Sequence, residues 1–358
     1  MTHDNLLCND GFMNYLHKLC GNQSFANLNF KYCFEPEFNS LYNSLVNNLE
    51  LSIFHMNIRS LNSNQSSLLQ LLYSIDNDFD IIILSEIWSN NIDFYCNLLK
   101  GYTLHHDLPI NSNCGGLGIF IQNKIKAKLR PELSLQKSPQ NRVEDIWMEI
   151  TKNKKQYIIG GIYRHPDQNI SGFSAALDDV LNSIAAKRTP CIIAGDININ
   201  LLKYESHADT TDYINNLLTK NFLPTILMPT RITGRSATII DHIYYYEGSN
   251  SKHEYNVHSG NIVTDITDHL PNYLLIIRNS HKVKAEERQY VRLFTKSNKR
   301  KFKRELDNID WENRVYSVKD VDIAYNNFND AIERGFQSAF PLTQLSRRGS
   351  KDKKMDNC

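Results

Sequence analysis

The chain has no CxxC pair, no run of about 18 apolar residues, no GxGxxG or GxxxxGK[ST] loop, no internal repeat and a net charge of only +1. Each absence excludes something. Seven cysteines, at positions 8, 20, 33, 96, 114, 191 and 358, are odd in number and irregular in spacing. That excludes a metal finger and fits free thiols in a reducing compartment. Cys191, inside an apolar run, reads as a small core residue. Without a long apolar run no membrane span is expected. The first twenty residues carry Asp4, Asp10, His17 and Lys18 and do not read as a signal peptide. A soluble, intracellular protein is expected. The missing glycine-rich phosphate loops argue against a nucleotide-binding, parallel doubly wound sheet.

The charge that is present is uneven. From residue 279 onward, 18 Lys/Arg stand against 12 Asp/Glu, which leaves 22 against 27 in residues 1–278. A mildly acidic body does not favour tight, non-specific duplex binding, because neutralising phosphates supplies most of that affinity. Local basic loops and a bound cation would have to compensate. The 41% hydrophobic and 22% charged residues are ordinary for a globular chain, and 358 residues suffice for one large domain with additional segments.

Residues 1–49 show little periodicity and read as a weakly structured leader, with short helical stretches around Tyr15–Cys20 and Phe38–Asn48. From Leu51, short β-branched and aromatic runs recur: LSIFHMNI, FDIIILSEI, LGIFIQ, IWMEITK, QYIIGGIY, CIIAGDI, ATIIDHIYYY and NYLLIIR. The central ones are apolar almost throughout, as strands covered on both faces are. Helical spacing marks 65–75, 172–186 and 209–219 between them. Strands mixed with helices over about 230 residues predict an α/β fold, two sheets packed face to face with helices outside, spanning residues 50–278. Strands are not expected beyond Arg278. There 296–307 reads as a basic helix and 320–340 as an amphipathic one, a helical linker or tail over 279–358. The basic run at 296–304 suits either a nuclear address or a solvated helix face.

Polar groups stand at the ends of these runs. Glu86 ends the apolar run 81–84, where a carboxylate can hold a hard divalent cation; an acidic residue after a strand can equally face solvent. Asn57 follows 52–56 and could place a metal or a phosphate oxygen, although a lone Asn more often forms a turn. Asp196 and Asn198 follow the buried-looking CIIA. Residues two apart on a strand point the same way, so both reach one pocket, and Gly195 permits a close approach of chain or ligand. Asp268-His269 precedes Leu-Pro. A histidine that donates one ring proton to a phosphate needs its other nitrogen oriented, usually by a carboxylate, and Asp241 at the end of TII can do this. Tyr163 ends 156–162 beside Arg164, which could pair with a phosphate backbone; alone, the tyrosine reads as a strand-edge aromatic. The other histidines, among them His105, His106, His207 and His242, lack ligand spacing and read as surface or structure.

Taken together, these residues resemble the endonuclease/exonuclease/phosphatase superfamily, and most closely the endonuclease domain of non-LTR retrotransposons of the jockey and chicken-repeat type. The resemblance lies in NIRSL (57–61), SEIW (85–88), GGLGIFI (115–121), YRHP (163–166), GDININLL (195–202), PTRITGRSATIIDHIYY (229–245) and TDHLP (267–271). It covers about residues 50–278. The tail, through NIDWENRV (308–315) and SAFP (338–341), resembles the linker after this domain. The resemblance implies a DNase I-like, four-layered sandwich. It implies Asn57, Glu86 and Asp268 around Mg²⁺ or Mn²⁺, and Asp196 with Asn198 on the attacking water. His269, oriented by Asp241, would stand on the scissile phosphate, Tyr163 would bind that phosphate, and Thr230 would be a DNA contact. Two small departures, Thr267 for a usual Ser and Ile87 for a common Thr, remove no catalytic group.

The expected function is metal-dependent hydrolysis of DNA phosphodiesters, a target-site nick that leaves a 3′-hydroxyl primer, with DNA as partner, no small-molecule cofactor, and a nuclear place of work. A reverse transcriptase follows this domain in the resembling polyproteins; polymerase activity is not expected within residues 1–358, so a separate reverse transcriptase or element RNA would be a partner. The same core could instead serve a phosphatase acting on a small phosphoester, and a retroelement-derived fragment could bind nucleic acid without cutting it. The intact acidic and histidine groups argue against the last reading.

Overall fold

The structure, a computed structural model, describes residues 10–20, 28–89, 91–108, 114–135, 142–248, 255–278, 290–292, 294 and 296–344. They fall into two compact units, one within Met1–Asn14 and Ala26–Lys284, the other within Tyr15–Phe25 and Ala285–Cys358.

The apolar runs become the central strands of two mixed sheets in the first unit. The seven-stranded sheet has the order β1 (Leu28–Cys33), β14 (Tyr255–Ile262), β15 (Asn272–Arg278), β2 (Leu49–Asn57), β3 (Ile81–Ser85), β5 (Leu117–Gln122), β4 (Tyr102–Asp107). The six-stranded sheet has the order β10 (Leu223–Pro224), β13 (Asp241–Tyr246), β9 (Cys191–Asp196), β8 (Lys155–Arg164), β7 (Val143–Lys152), β6 (Lys126–Leu129). The two sheets face one another. A Cβ on Gly161 of β8 would meet the Ile119 side chain of β5 at 2.9 Å, so the inner layers interdigitate there. A small hairpin, β11 (Arg231–Ile232) and β12 (Ala237–Thr238), stands apart from both.

Alternation along the strands sends every second side chain outward to the helices. Phe54, Met56, Ile82, Leu84 and Phe120 join one buried cluster with Phe38 and Tyr42 of α2 (Glu35–Leu45) and Leu61, Leu68 and Leu71 of α3 (Leu61–Ser74). Fully burying one such side chain contributes about 1.5–3 kcal/mol. On the second sheet, Tyr244 and His242 pack against Tyr213 of α5 (Ala208–Thr219). Tyr213 in turn meets Phe173 of α4 (Ile170–Lys187). The Asn169 side chain caps α4 by accepting the Gly172 N–H at 2.7 Å, and Ser60 caps α3.

Two readings of the chain ends need correction. The stretch taken as a weakly structured leader contributes β1, paired in parallel with β14, and α2, whose Phe38 is wholly buried in the cluster above. Its aromatic residues provided no clear period, yet they cover a sheet face that α3 leaves open. Strands also continue past Arg278: β16 (Tyr290–Arg292) pairs antiparallel with β17 (Leu342–Gln344) in the second unit. In that unit the Phe302 ring of α6 (Lys296–Asp307) lies near Phe336 and Phe340, at and just beyond the end of α7 (Val321–Ala339). Among the described residues no helix is long and apolar enough to cross a membrane.

Candidate active site

Strand direction gathers the polar residues at one edge of the paired sheets. β2 and β3 run parallel and end at Asn57 and Ser85, with Glu86 next in the chain. β8 and β9 are also parallel and end at Tyr163-Arg164 and at Asp196. β13 runs against β9 and begins at Asp241, directly opposite Asp196 in the register. β15 runs against β2, so the segment that enters it, carrying Asp268-His269, arrives at the same edge. A Cβ on Gly195 would lie 1.8 Å from the Ile162 carbonyl oxygen, so only glycine lets β9 pass β8 closely enough to deliver Asp196.

Two hydrogen-bonded groups face each other there. In the first, His269 Nδ1 is 2.9 Å from Asp241 Oδ2, and the Thr230 hydroxyl donates to the same oxygen at 2.7 Å. In the second, Asn57 Nδ2 donates to Asp196 Oδ2 at 2.8 Å, and the Asn198 N–H donates to Asp196 Oδ1 at 3.0 Å. Asp196, Asp241 and Thr230 are wholly buried, and His269 is nearly so. Thr267 ties the groups together: its hydroxyl lies 3.2 Å from the Asn57 carbonyl and accepts the His269 N–H at 3.1 Å. Nearby, the Tyr163 hydroxyl donates to Glu86 Oε1 at 3.2 Å.

The charges interact strongly. Burial, and then the charge of Asp241, push the Asp196 carboxyl well above the usual range, with Glu86 adding to the effect. Burial opposes the charge on Asp241 as well, but the His269 charge and hydrogen bond outweigh it and hold Asp241 below the usual range. Burial likewise opposes protonation of His269, yet Asp241 wins and raises the imidazole to about 9. Tyr163 is raised by burial and by Glu86, so its hydroxyl remains a donor.

This donor set suits a hard cation. Among the described residues, Asp196, Asp241 and His269 offer ligand atoms that lie within 4.8 Å of one another. Asp241 Oδ1 is buried with no hydrogen-bond partner, and Glu86 adds a third carboxylate against a single imidazole. Oxygen donors with excess negative charge are what Mg²⁺ or Mn²⁺ takes.

Four expected roles fit the geometry differently. Arg164 is only 1% exposed, and its guanidinium donates to the main-chain carbonyls of His165, Ile197 and Gln168 at 3.1, 3.3 and 2.7 Å. It is therefore no phosphate contact. It clamps the end of β8 to the turn after Asp196, and Asn198 Nδ2 completes the clamp by donating to the Arg164 carbonyl at 2.8 Å. Asn198 itself has φ +52, off the strand, so the two-apart rule that paired it with Asp196 does not hold there. Thr230 is a support for Asp241, not a DNA contact. Asp268, expected beside a metal, pairs with Arg59 (3.0 Å) and Arg231 (2.7 Å). Those two arginines, about half exposed, were not singled out in the sequence, because each meets Asp268 only through the fold.

The sequence profile of the Endonuclease/Exonuclease/phosphatase family matches residues 54–269. No curated protein matches the chain. Similar solved structures include the endonuclease domain of TRAS1, a telomere-specific non-LTR retrotransposon (15% identity, TM-score 0.47, covering 63% of this chain and 98% of that one). They also include a mannosyl-6-phosphatase of Bacteroides thetaiotaomicron (13% identity, TM-score 0.47, covering 63% and 99%). A third is the 3′ phosphatase NExo from Neisseria bound to a product DNA hairpin (18% identity, TM-score 0.46, covering 63% and 98%).

Proposed function

We propose, from the premise that the chain belongs to the Endonuclease/Exonuclease/phosphatase family, that it is a divalent-metal-dependent phosphodiesterase that nicks DNA. The observation that carries this reading is the facing pair of groups, His269–Asp241–Thr230 and Asp196–Asn57, buried at one strand edge.

Asp241 engages Nδ1 of His269, which leaves Nε2 to donate to a non-bridging phosphate oxygen as its charge grows. Thr230 fixes the Asp241 carboxylate and thereby the ring. Asp196, held by Asn57 and the Asn198 N–H, is the group placed to accept a proton from the attacking water. Tyr163 offers its hydroxyl to a second phosphate oxygen. A bound Mg²⁺ or Mn²⁺ would add Lewis-acid stabilisation of those oxygens. Glu86 and Asn57 would hold it, together with Asp268 once its carboxylate leaves Arg59 and Arg231. Within a retroelement such a nick supplies the 3′-hydroxyl primer. The domain that cuts is then residues 26–278, β1 and α2 included, with 279–358 a linker toward a reverse transcriptase or element RNA, and the nucleus the place of work.

A second reading, a phosphatase of small phosphoesters, is favoured by one observation: the acidic balance of residues 1–278, 22 Lys/Arg against 27 Asp/Glu. A plasmid-nicking assay separates the two. The full chain with Mg²⁺ or Mn²⁺ should convert supercoiled plasmid to open circles. EDTA should abolish the conversion, and His269→Ala should slow it roughly 10³-fold. A folded, metal-loaded wild type that leaves plasmid intact yet releases phosphate from small phosphomonoesters would transfer the assignment to the second reading.

A further inference from the structure

A second histidine–carboxylate pair lies close to the first and takes no part in the chemistry described so far. Glu144, wholly buried, and His165, 3% exposed, meet with His165 Nε2 at 3.1 Å from both carboxylate oxygens. Glu144 stands directly opposite Tyr163 in the β7–β8 register, so both side chains leave the same face of the sheet. The His165 ring meets the Tyr163 ring edge to face, with centroids 4.9 Å apart and planes at 69°.

The pair is also built against the loop that carries Glu86. Gly115 has φ +96, and a Cβ there would lie 3.2 Å from Glu144 Oε1 and from the His165 ring. The carbonyls of Gly115 and Gly116 accept the N–H groups of Trp88 and Ile87, the residues that follow Glu86. One compact assembly therefore holds both partners of the Tyr163–Glu86 hydrogen bond. Stability alone does not account for it. Removing a carboxyl group and an imidazole from water is expensive, and a well-packed apolar pair of equal volume commonly serves a core as well or better. What an apolar pair would lack is a directed hydrogen bond that fixes the imidazole plane, and with it the ring that leans on that plane.

We propose that His165, oriented by Glu144, is a positioning residue for Tyr163, fixing where the phenol hydroxyl meets a substrate phosphate oxygen. This rests on the phosphodiesterase reading in assigning the phosphate as the target of that hydroxyl. His165 itself touches no substrate. Its effect passes through one aromatic contact and one hydroxyl.

A double-mutant cycle on the full chain tests this. Tyr163→Phe, His165→Ala and the double variant are compared for kcat and KM on plasmid DNA with Mg²⁺, with thermal unfolding recorded for each. If His165 acts through the Tyr163 hydroxyl, each single change lowers kcat/KM by about tenfold and the double variant is no worse than the poorer single. His165→Gln, which retains a donor for Glu144, should recover part of the loss. Losses that multiply to about a hundredfold, or a His165→Ala enzyme as active as wild type, would overturn the proposal. The same cycle read by calorimetry as the affinity for inorganic phosphate, with Mg²⁺ present, needs no turnover. If wild type cuts no DNA, the nuclease reading fails, while non-additive losses in phosphate affinity would still support the pair and additive ones would sink it.

Discussion

Both ends of the paired sheets bury carboxylates, but the two ends neutralise them differently. At the end remote from the site, Asp80 pairs with Lys152 and accepts the Ser52 N–H at 2.9 Å. Glu50 there pairs with Arg278 at 2.7 Å and accepts the Tyr157 hydroxyl. At the site end, neither Asp196 nor Asp241 pairs with a Lys or Arg among the described residues. Asp196 is held by a carboxamide and a main-chain N–H, and Asp241 by a threonine and a histidine. The same fold, with similar strands and similar burial, solves the desolvation problem for Asp80 and Glu50 with a lysine and an arginine and for Asp241 with His269, and leaves it open at Asp196. An unsolved desolvation cost with a perturbed carboxyl marks where a cation or a reacting group belongs. Asp268 sharpens the point: it sits at the site end but is 22% exposed, and there it does take arginine partners.

The comparison breaks most readily at Asp196. Asp196→Asn keeps the size and an acceptor for Asn57 but removes the base and the acceptor of the Asn198 N–H. Nicking should fall by roughly 10³-fold, within the range for a lost general base. Urea unfolding in EDTA should show the variant within about 1 kcal/mol of wild type, because losing the repulsion from Asp241 and Glu86 offsets losing the acceptor of the Asn198 N–H. A variant that keeps its activity, or one clearly less stable than wild type, would place Asp196 among the structural carboxylates.

The remote end should respond the opposite way. Asp80→Ala leaves the Lys152 ammonium, only 17% exposed, without its partner, and the Ser52 N–H without an acceptor. A loss of about 3 kcal/mol in stability is expected, with kcat per folded molecule unchanged. Denaturant unfolding and active-site-normalised nicking measure the two halves of that statement. A fall in kcat without a fall in stability would mean that the ends are not separate.

The sequence made the site end largely legible, and the reason is physical. Asp196 ends an apolar strand, Glu86 directly follows one and Asp241 begins one, so the runs that announce the strands also place the carboxylates. The helices were found for the same reason, although α3 begins four residues earlier than the spacing predicted, at Leu61 behind the Ser60 cap. β6 was not legible because it is only four residues long and all four are exposed, so its alternation marks no buried face. β4, an edge strand carrying His105-His106, concealed itself similarly. Arg164 misled because its residue type shows a charge but not the direction of the turn after β8, which folds that charge inward. The Glu144–His165 pair left a readable trace that periodicity does not use. Asn153 and Lys154 both have positive φ, the two-residue turn that sets a hairpin register, and that register puts Glu144 across from Tyr163.

The smallest expected effect concerns a histidine that the site end keeps neutral. His242 follows Asp241 in the chain, but alternation turns it to the other face of β13, against Tyr213 and the Ile199 carbonyl. Burial lowers it to about 4, while His269, which does reach Asp241, is raised to about 9. Between about 4, for His242, and the ordinary histidine value near 6.5, the unfolded chain binds a proton that the folded chain refuses. The contribution of His242 to stability is therefore complete above about pH 6.5 and is lost as the pH falls toward 4, amounting to about 2 kcal/mol between pH 8 and pH 5. Urea unfolding at those two pH values should show a steeper acid loss in wild type than in His242→Gln, which has nothing to titrate there. Equal losses in the two proteins would mean that His242 takes up its proton inside the fold, and that the second sheet admits charge on its outer face as well as its inner one.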